Sequence, residues 1–142
     1  METKLKNFII NTLRRASFRW KPRAEAKKRY KVKVGEYKTG RAKYGYQCSD
    51  CTSVHMSKDV RMDHLYPVVH PIEGFVGFDT YAMRMFCDEE GFICLCDPCH
   101  DNKTSREKDF RVKARQLVKE GCDLSELEKE YLDFLLYYEE NA

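Results

Sequence analysis

Leu95-Cys96-Asp97-Pro98-Cys99-His100-Asp101-Asn102-Lys103-Thr104 places two cysteines three positions apart and follows them at once with a histidine, an asparagine and a lysine. Upstream, Cys48-Ser49-Asp50-Cys51 repeats the same Cys-x-x-Cys spacing, with residues 52–95 between the pairs. Two intervening residues let a tight turn aim both sulfurs at one ion, while the turn amides donate to the thiolates and spread their charge. Four thiolates from two such turns suit tetrahedral Zn²⁺, and a closed sulfur shell leaves no position for water. A zinc held by Cys48, Cys51, Cys96 and Cys99 is therefore expected to support the fold and take no part in chemistry. Cys94 stands close enough to Cys96 to compete for the ion, whereas Cys87 and Cys122 read as ordinary buried or free thiols.

The chain has seven cysteines among 142 residues. An odd number in a cytosolic setting favours metal binding over disulfides, because cellular thiol buffers keep cysteines reduced. No apolar run is long enough to span a bilayer, and Met1-Glu2-Thr3-Lys4-Leu5-Lys6 lacks the apolar stretch of a signal peptide. A cytoplasmic protein that does not enter membranes is expected.

Between the knuckles stands Arg61-Met62-Asp63-His64-Leu65-Tyr66-Pro67, and directly after the second comes His100. A shared zinc would clamp these segments side by side. Asp63 and His64 could simply cap a turn, but both knuckles and His100 follow in order around them. The ensemble resembles the HNH nuclease family, whose pattern is a first cysteine knuckle, an Asp-His followed by a proline, then Leu-Cys-x-x-Cys-His-x-x-Lys-Thr. The resemblance covers about Tyr46 to Arg106 and is greatest to the small HNH proteins of tailed phages, which carry a basic N-terminal segment.

That resemblance implies an α+β fold with a ββα-metal (His-Me finger) core, a four-cysteine zinc and flanking N- and C-terminal helices. It implies hydrolysis of DNA phosphodiester bonds with a catalytic divalent cation, Mg²⁺, Mn²⁺, Ni²⁺ or Zn²⁺. His64 matches the general base, a role that suits an imidazole because its pKa lies near operating pH. Asp63 and His100 match the ligands of the catalytic ion, which polarises the scissile phosphate and stabilises charge on the leaving oxygen. Lys103, on the same expected helix as His100, either holds a phosphate or complements the helix surface. Where the family has an asparagine that braces the loop of the general base, this chain has Gly91, leaving Asp88, Glu89 or Glu90 as candidate substitutes. His55 and His70 fall outside the matched positions and are given no role.

Charge is unevenly spread. Residues 1–47 carry fifteen Lys and Arg against three acids, Glu2, Glu25 and Glu36, a polyanion-binding signature. Arg14, Arg15, Arg19, Lys27, Lys28 and Arg29 are the expected DNA-backbone contacts, and Trp20, Tyr30, Tyr37 and Tyr44 interleave with the cations. The plainer alternative is a solvated helix face with its aromatics packed inward. Residues 123–142 oppose this with seven acids against Lys129 alone, so this end should avoid nucleic acid.

Three parts follow: a basic helical arm over 1–45, a zinc-stapled nuclease core over 46–120 and an acidic amphipathic helix over 121–142. Residues 3–16 read as an amphipathic helix with Leu5, Phe8, Ile9 and Leu13 on one side, and Pro22 can open a second through Ala26 and Lys27. Strand-like pieces lie at 44–47, 60–65 and 92–95, a brief helix at 79–86, and a long one from Asp97 that Gly121 stops. Asp123 with Glu126 resembles a capping box opening a last helix, whose Leu124, Leu127, Tyr131, Phe134, Leu135 and Tyr138 form one stripe for core or dimer packing.

Three functions compete at this point. The first is a nuclease acting on duplex DNA in the cytoplasm, that of the host if the chain is phage-encoded. The second is a non-catalytic zinc module binding DNA or a phage packaging partner, and the third a nuclease whose substrate is RNA.

Overall fold

The computed structural model describes residues 1–142. The chain is α+β, with five α-helices and two small antiparallel sheets. Helix α1 (Thr3–Ser17) ends with Arg14 and Arg15 in its last turn, where cations complement the helix dipole. Helix α2 (Lys21–Lys28) begins with Pro22 in its first turn, a position that needs no backbone donor, and buries Ala26 completely.

These two helices are fastened to the body. The Trp20 indole donates to the Cys87 carbonyl at 2.7 Å and Arg23 to the Met62 carbonyl at 2.8 Å. Arg29 donates to the carbonyls of Glu89 at 2.7 Å and Phe92 at 3.3 Å. The expected helical arm over 1–45 is helical only in its first part, and its latter part is β structure. Strand β1 (Lys31–Glu36) pairs antiparallel with β2 (Ala42–Gln47), and β2 with the short β3 (Val54–His55). The Lys31-Val32-Lys33-Val34 alternation is a strand pattern that the density of charge concealed.

The second sheet pairs β4 (Val60–His64) with β5 (Phe92–Cys96), running from Val60 opposite Cys96 to His64 opposite Phe92. Helix α3 (Phe78–Met85) lies within the connection, and α4 (Asp97–Lys119) leaves β5 without a loop. All five residues of β5 are buried, so this strand has helix or sheet on both faces. Helix α5 (Ser125–Asn141) closes the core, in which Leu127, Tyr131, Phe134 and Tyr138 meet Phe110 and Ala114 of α4 and Ile93 and Leu95 of β5. The aromatic stripe is thus core. Leu124 and Leu135 sit at its partly buried margin.

The α4–α5 junction follows from local chemistry. Gly121 adopts φ +69°, the left-handed conformation that costs an L side chain energy, and donates to the Val118 carbonyl while Cys122 donates to that of Leu117. This pair of bonds is a Schellman motif that satisfies the last helical carbonyls. At the start of α5, Asp123 accepts from the amide and hydroxyl of Ser125 at 3.0 and 2.9 Å. Glu126 takes no part, so the capping box is replaced by a side-chain cap on Ser125.

His70 is structural. Its Nδ1 accepts the amides of Ile72 at 3.2 Å and Glu73 at 3.0 Å, and its ring meets Tyr131 edge-on at 4.7 Å. Protonating Nδ1 would break both bonds, and burial, with a smaller part from Arg84, holds the pKa below the ordinary histidine value. Above that ordinary value the ring is neutral whether folded or unfolded, and the fold is unpenalised. As pH falls through it, the unfolded chain takes up a proton that the folded chain refuses, and stability drops. The denaturant midpoint should therefore fall between pH 7.5 and about 5.5 by more in the native chain than in His70→Asn. Equal pH dependence in both would refute this role. No helix is long and apolar enough to cross a membrane.

Candidate active site and metal centre

The Sγ atoms of Cys48, Cys51, Cys96 and Cys99 lie within 4.8 Å of one another, and those of Cys51 and Cys96 are 3.8 Å apart. A tetrahedron with metal–sulfur bonds of about 2.3 Å has edges of about 3.8 Å, so the four thiols can hold one ion such as zinc. Sequence puts the second pair where β5 becomes α4, with Cys96 at the helix N-cap and Cys99 in its first turn. The first pair occupies the β2–β3 turn, where Thr52 takes φ 63° and the Ser49 amide donates to the Cys94 carbonyl at 2.8 Å. Amides of Ser53 and Cys99 point at the sulfurs of Cys51 and Cys96, the arrangement that steadies thiolates.

Cys94 does not join the cluster. It is fully buried in β5, and burial pushes its thiol up to about 11, the state of an inert core cysteine. His55, given no role from sequence, places Nε2 3.9 Å from the Cys51 sulfur, where it can donate to a thiolate. Its position four residues after Cys51 was the available signal.

Strand alternation explains how neighbouring Asp63 and His64 come to different partners, since successive side chains leave a strand on opposite faces. Asp63 turns to α4 and meets Lys103 Nζ at 3.0 Å. His64 turns to α3, where its Nε2 lies 2.9 Å from the Met85 carbonyl, and its ring packs on Phe92 at 4.8 Å. A carbonyl only accepts, so Nε2 carries the proton and Nδ1 of the neutral ring is the free base. No protein group bonds that Nδ1. Burial, reinforced by the charges of Arg23 and Lys103, holds the His64 pKa below the ordinary value against the opposing pull of the Met85 carbonyl and Asp63. The ring is neutral at neutral pH.

No family model, curated protein or solved structure matches this chain. The site therefore has to be read from its own geometry.

The brace on His64 comes from the end of α3. Asp88, Glu89 and Glu90 offer it no side-chain bond, and the three expected substitutes are set aside on that ground. Gly91 has its own reason. A Cβ there would lie 2.6 Å from the Cys87 sulfur, closer than van der Waals contact permits, while the Gly91 carbonyl accepts the Leu65 amide at 2.8 Å. Any larger residue there requires the Cys87 side chain to shift.

Lys103 departs from both sequence expectations. It is 1% exposed, and its ammonium is shared by Asp63, the His64 carbonyl at 3.2 Å and Glu107 at 2.6 Å. Burial disfavours that charge, but Asp63 and Glu107 outweigh it and raise the pKa. One ammonium between two carboxylates leaves the group short of positive charge, and burial pushes the Glu107 carboxyl up. Lys103 thus ties α4 to the end of β4 instead of offering itself to a phosphate. The i,i+4 spacing of Lys103 and Glu107 could have signalled the pair. Lys103→Met should cost on the order of 3 kcal/mol in a denaturant titration, because it leaves buried oxygens unpaired. A loss within measurement error would refute the tie.

Asp63, His64, His100, Lys103 and Glu107 line one open cleft of about 1070 Å³, together with Arg14, Arg23, Lys27, Arg61 and Arg111. His100 Nδ1 is buried and makes no hydrogen bond, its nearest carboxylate oxygen, on Asp101, being 3.7 Å away. Asp63 Oδ1 accepts the His64 amide at 2.9 Å and Oδ2 the Lys103 ammonium, and each oxygen keeps a further lone pair. An imidazole nitrogen without a partner and a carboxylate on one cleft are donor types that divalent cations accept. The four cysteines are the one group of three or more such donors gathered closely enough to hold an ion.

The expected DNA contacts divide. Arg14 and Lys27 line the cleft, and Lys27 Nζ also reaches Ser57 Oγ at 2.6 Å. Arg15 turns back to the Asn11 carbonyl at 3.4 Å, Lys28 pairs with Glu25 at 3.3 Å, and Arg19 makes no side-chain hydrogen bond and is exposed. Arg29 is exposed and uses one guanidinium nitrogen on the carbonyls of Glu89 and Phe92.

Proposed function

We propose that the chain is a metal-dependent endonuclease of the HNH type that hydrolyses phosphodiester bonds of DNA. The observation that carries this reading is His64: fixed at Nε2 by the Met85 carbonyl, neutral through burial, without a protein partner at Nδ1, and lining the same cleft as Asp63 and His100. The antiparallel β4–β5 pair with α4 directly after it supports the reading, because two strands and a following helix are the elements that the HNH resemblance implies.

In this reading Nδ1 of His64 accepts a proton from the attacking water, and the Met85 carbonyl stabilises the imidazolium that forms. Asp63 and His100 hold the divalent cation, which when bound polarises the scissile phosphate and offsets charge on the leaving oxygen. Arg14, Arg23, Lys27, Arg61 and Arg111 give the cleft a surplus of positive charge over Asp63 and Glu107, suited to a polyanion.

One observation favours a second reading, a zinc module that binds DNA without cutting it: the Asp63 carboxylate is already engaged by Lys103. Supercoiled plasmid incubated with Mg²⁺, Mn²⁺, Ni²⁺ or no added metal separates the two. The nuclease yields nicked or linear product only with a divalent ion and none after chelation. Uncut plasmid under every metal, with binding retained, would overturn the nuclease reading and leave the module.

A further inference from the structure

The β1–β2 hairpin stands out as the most cationic exposed feature not yet given a task. Residues 31–43 carry Lys31, Lys33, Lys38, Arg41 and Lys43 against Glu36 alone, and every residue of β1 is exposed. The one internal ion pair, Lys33 with Glu36 at 3.4 Å, is solvent-exposed on both sides and worth little. An unpaired edge strand with alternating lysines resists pairing with another strand, which argues against a protein strand as its occupant.

Register sorts the side chains. Lys31 opposes Tyr46 and Lys33 opposes Tyr44, so these four share one face of the ribbon. The cations lie over the rings: Lys31 Nζ is 4.1 Å from the Tyr44 centroid, and Lys43 Nζ is 5.7 Å from that of Tyr37. Lys27 Nζ, from α2, is 4.7 Å from the Tyr46 centroid and at the same time lines the cleft of His64 and His100. A cation-on-aromatic series therefore runs from the hairpin along Tyr44 and Tyr46 to Lys27 and into the cleft. The rings restrict the lysine stems, so less side-chain freedom is lost when the ammonium groups meet a phosphate.

At its base the hairpin is anchored by chemistry already described. Strand β2 runs directly into Cys48, and the Gln47 amide donates to the Tyr30 carbonyl at 2.9 Å. The four-sulfur cluster thus ties the hairpin to the N-terminus of α4, which carries His100.

We infer that the Lys31, Lys33, Tyr44 and Tyr46 face of the hairpin, continued by Lys27, is the track on which the backbone of duplex DNA lies as it enters the cleft. This rests on the nuclease reading for what happens in the cleft, but the track itself needs only a bound polyanion. A two-stranded ribbon has the width that a DNA major groove admits, and phosphates on either side of the groove would meet the flanking lysines.

The test compares the intact chain with a hairpin triple that includes the α2 lysine continuing it, Lys27→Gln, Lys31→Gln, Lys33→Gln, and with a control triple, Lys108→Gln, Lys113→Gln, Lys129→Gln, that removes the same charge from exposed sites on α4 and α5. Affinity for a duplex of about 30 base pairs is measured as a function of salt, and each lost phosphate contact lowers the slope by about 0.9. The hairpin triple should lower the slope by about 2.7, so that going from about 50 to about 200 mM salt weakens the intact chain about 40-fold more than the variant. The control triple should leave the slope near that of the intact chain. An unchanged slope in the hairpin triple, or an equal fall in the control, overturns the track. Tighter salt-sensitive binding to single-stranded RNA than to duplex overturns its assignment to DNA. If the slope falls as expected while the intact chain cuts nothing, the nuclease reading fails and the track stands; normal cutting with an unchanged slope gives the reverse.

Discussion

His64→Ala should lower the rate of plasmid cleavage under saturating metal by about 10²- to 10⁴-fold, the range that one positioned general base contributes. Three features make the expectation specific. The Met85 carbonyl fixes which nitrogen carries the proton, burial keeps the ring neutral, and Nδ1 has no competing partner within the protein. The variant should still bind duplex, because the cations of the cleft are untouched. The active form is the neutral one and its pKa is lowered, so the acid limb of the native rate profile should lie below the ordinary histidine value of about 6.5. A His64→Ala variant cutting within threefold of the native rate would remove His64 from the chemistry. An acid limb above about 7 would contradict the environment described for the ring.

Cys96→Ser should abolish both zinc content and the folded state. Structural zinc in small domains contributes about 10–16 kcal/mol of apparent binding energy, comparable to or larger than the whole stability of a typical domain. Cys96 is also the N-cap of α4 and the partner of Val60 in the sheet, so losing the ion frees the junction on which β4, β5 and α4 converge. The native chain should carry one zinc, read by metal analysis, and lose its thermal transition under strong chelation. Cys94→Ser supplies the contrast, since Cys94 lies two residues away in the same strand but outside the four-sulfur group. Its metal content should be unchanged. A Cys96→Ser chain that folds without metal, or a Cys94→Ser chain that loses it, would show that the cysteine set is wrongly drawn.

What could be read from the residues alone follows a physical division. Repeated spacings were legible: the two knuckles, the stripe of α5 and the breaks at Pro22 and Gly121 each express a local rule, and each is found in the structure. Of the hairpin at 31–47 the second strand was legible at 44–47 but the first was missed, although Lys31-Val32-Lys33-Val34 alternates, because a run of positive charge suggests a solvated arm. The brace on His64 could not be read at all. It joins residues 64 and 85 through a main-chain atom, and no side chain records it. Lys103 was misassigned because a lysine after a helical histidine is ordinarily exposed, and only tertiary packing brings Asp63 and Glu107 to it. The metal-ligating role of Asp63 and His100 stands as a proposal, supported by the orphaned Nδ1 and the shared cleft.

A peptide oxygen at the end of α3 holds the imidazole on which the proposed chemistry depends. Replacing Met85 by leucine or alanine keeps that oxygen in place, so a survey that trims side chains one at a time would leave the tether unnoticed. Only a change that shifts the helix terminus itself would let the ring swing. Helix α3 packs in turn on α1, whose Arg14 lines the cleft, so the carbonyl that holds the ring and the first helix move as one packed unit.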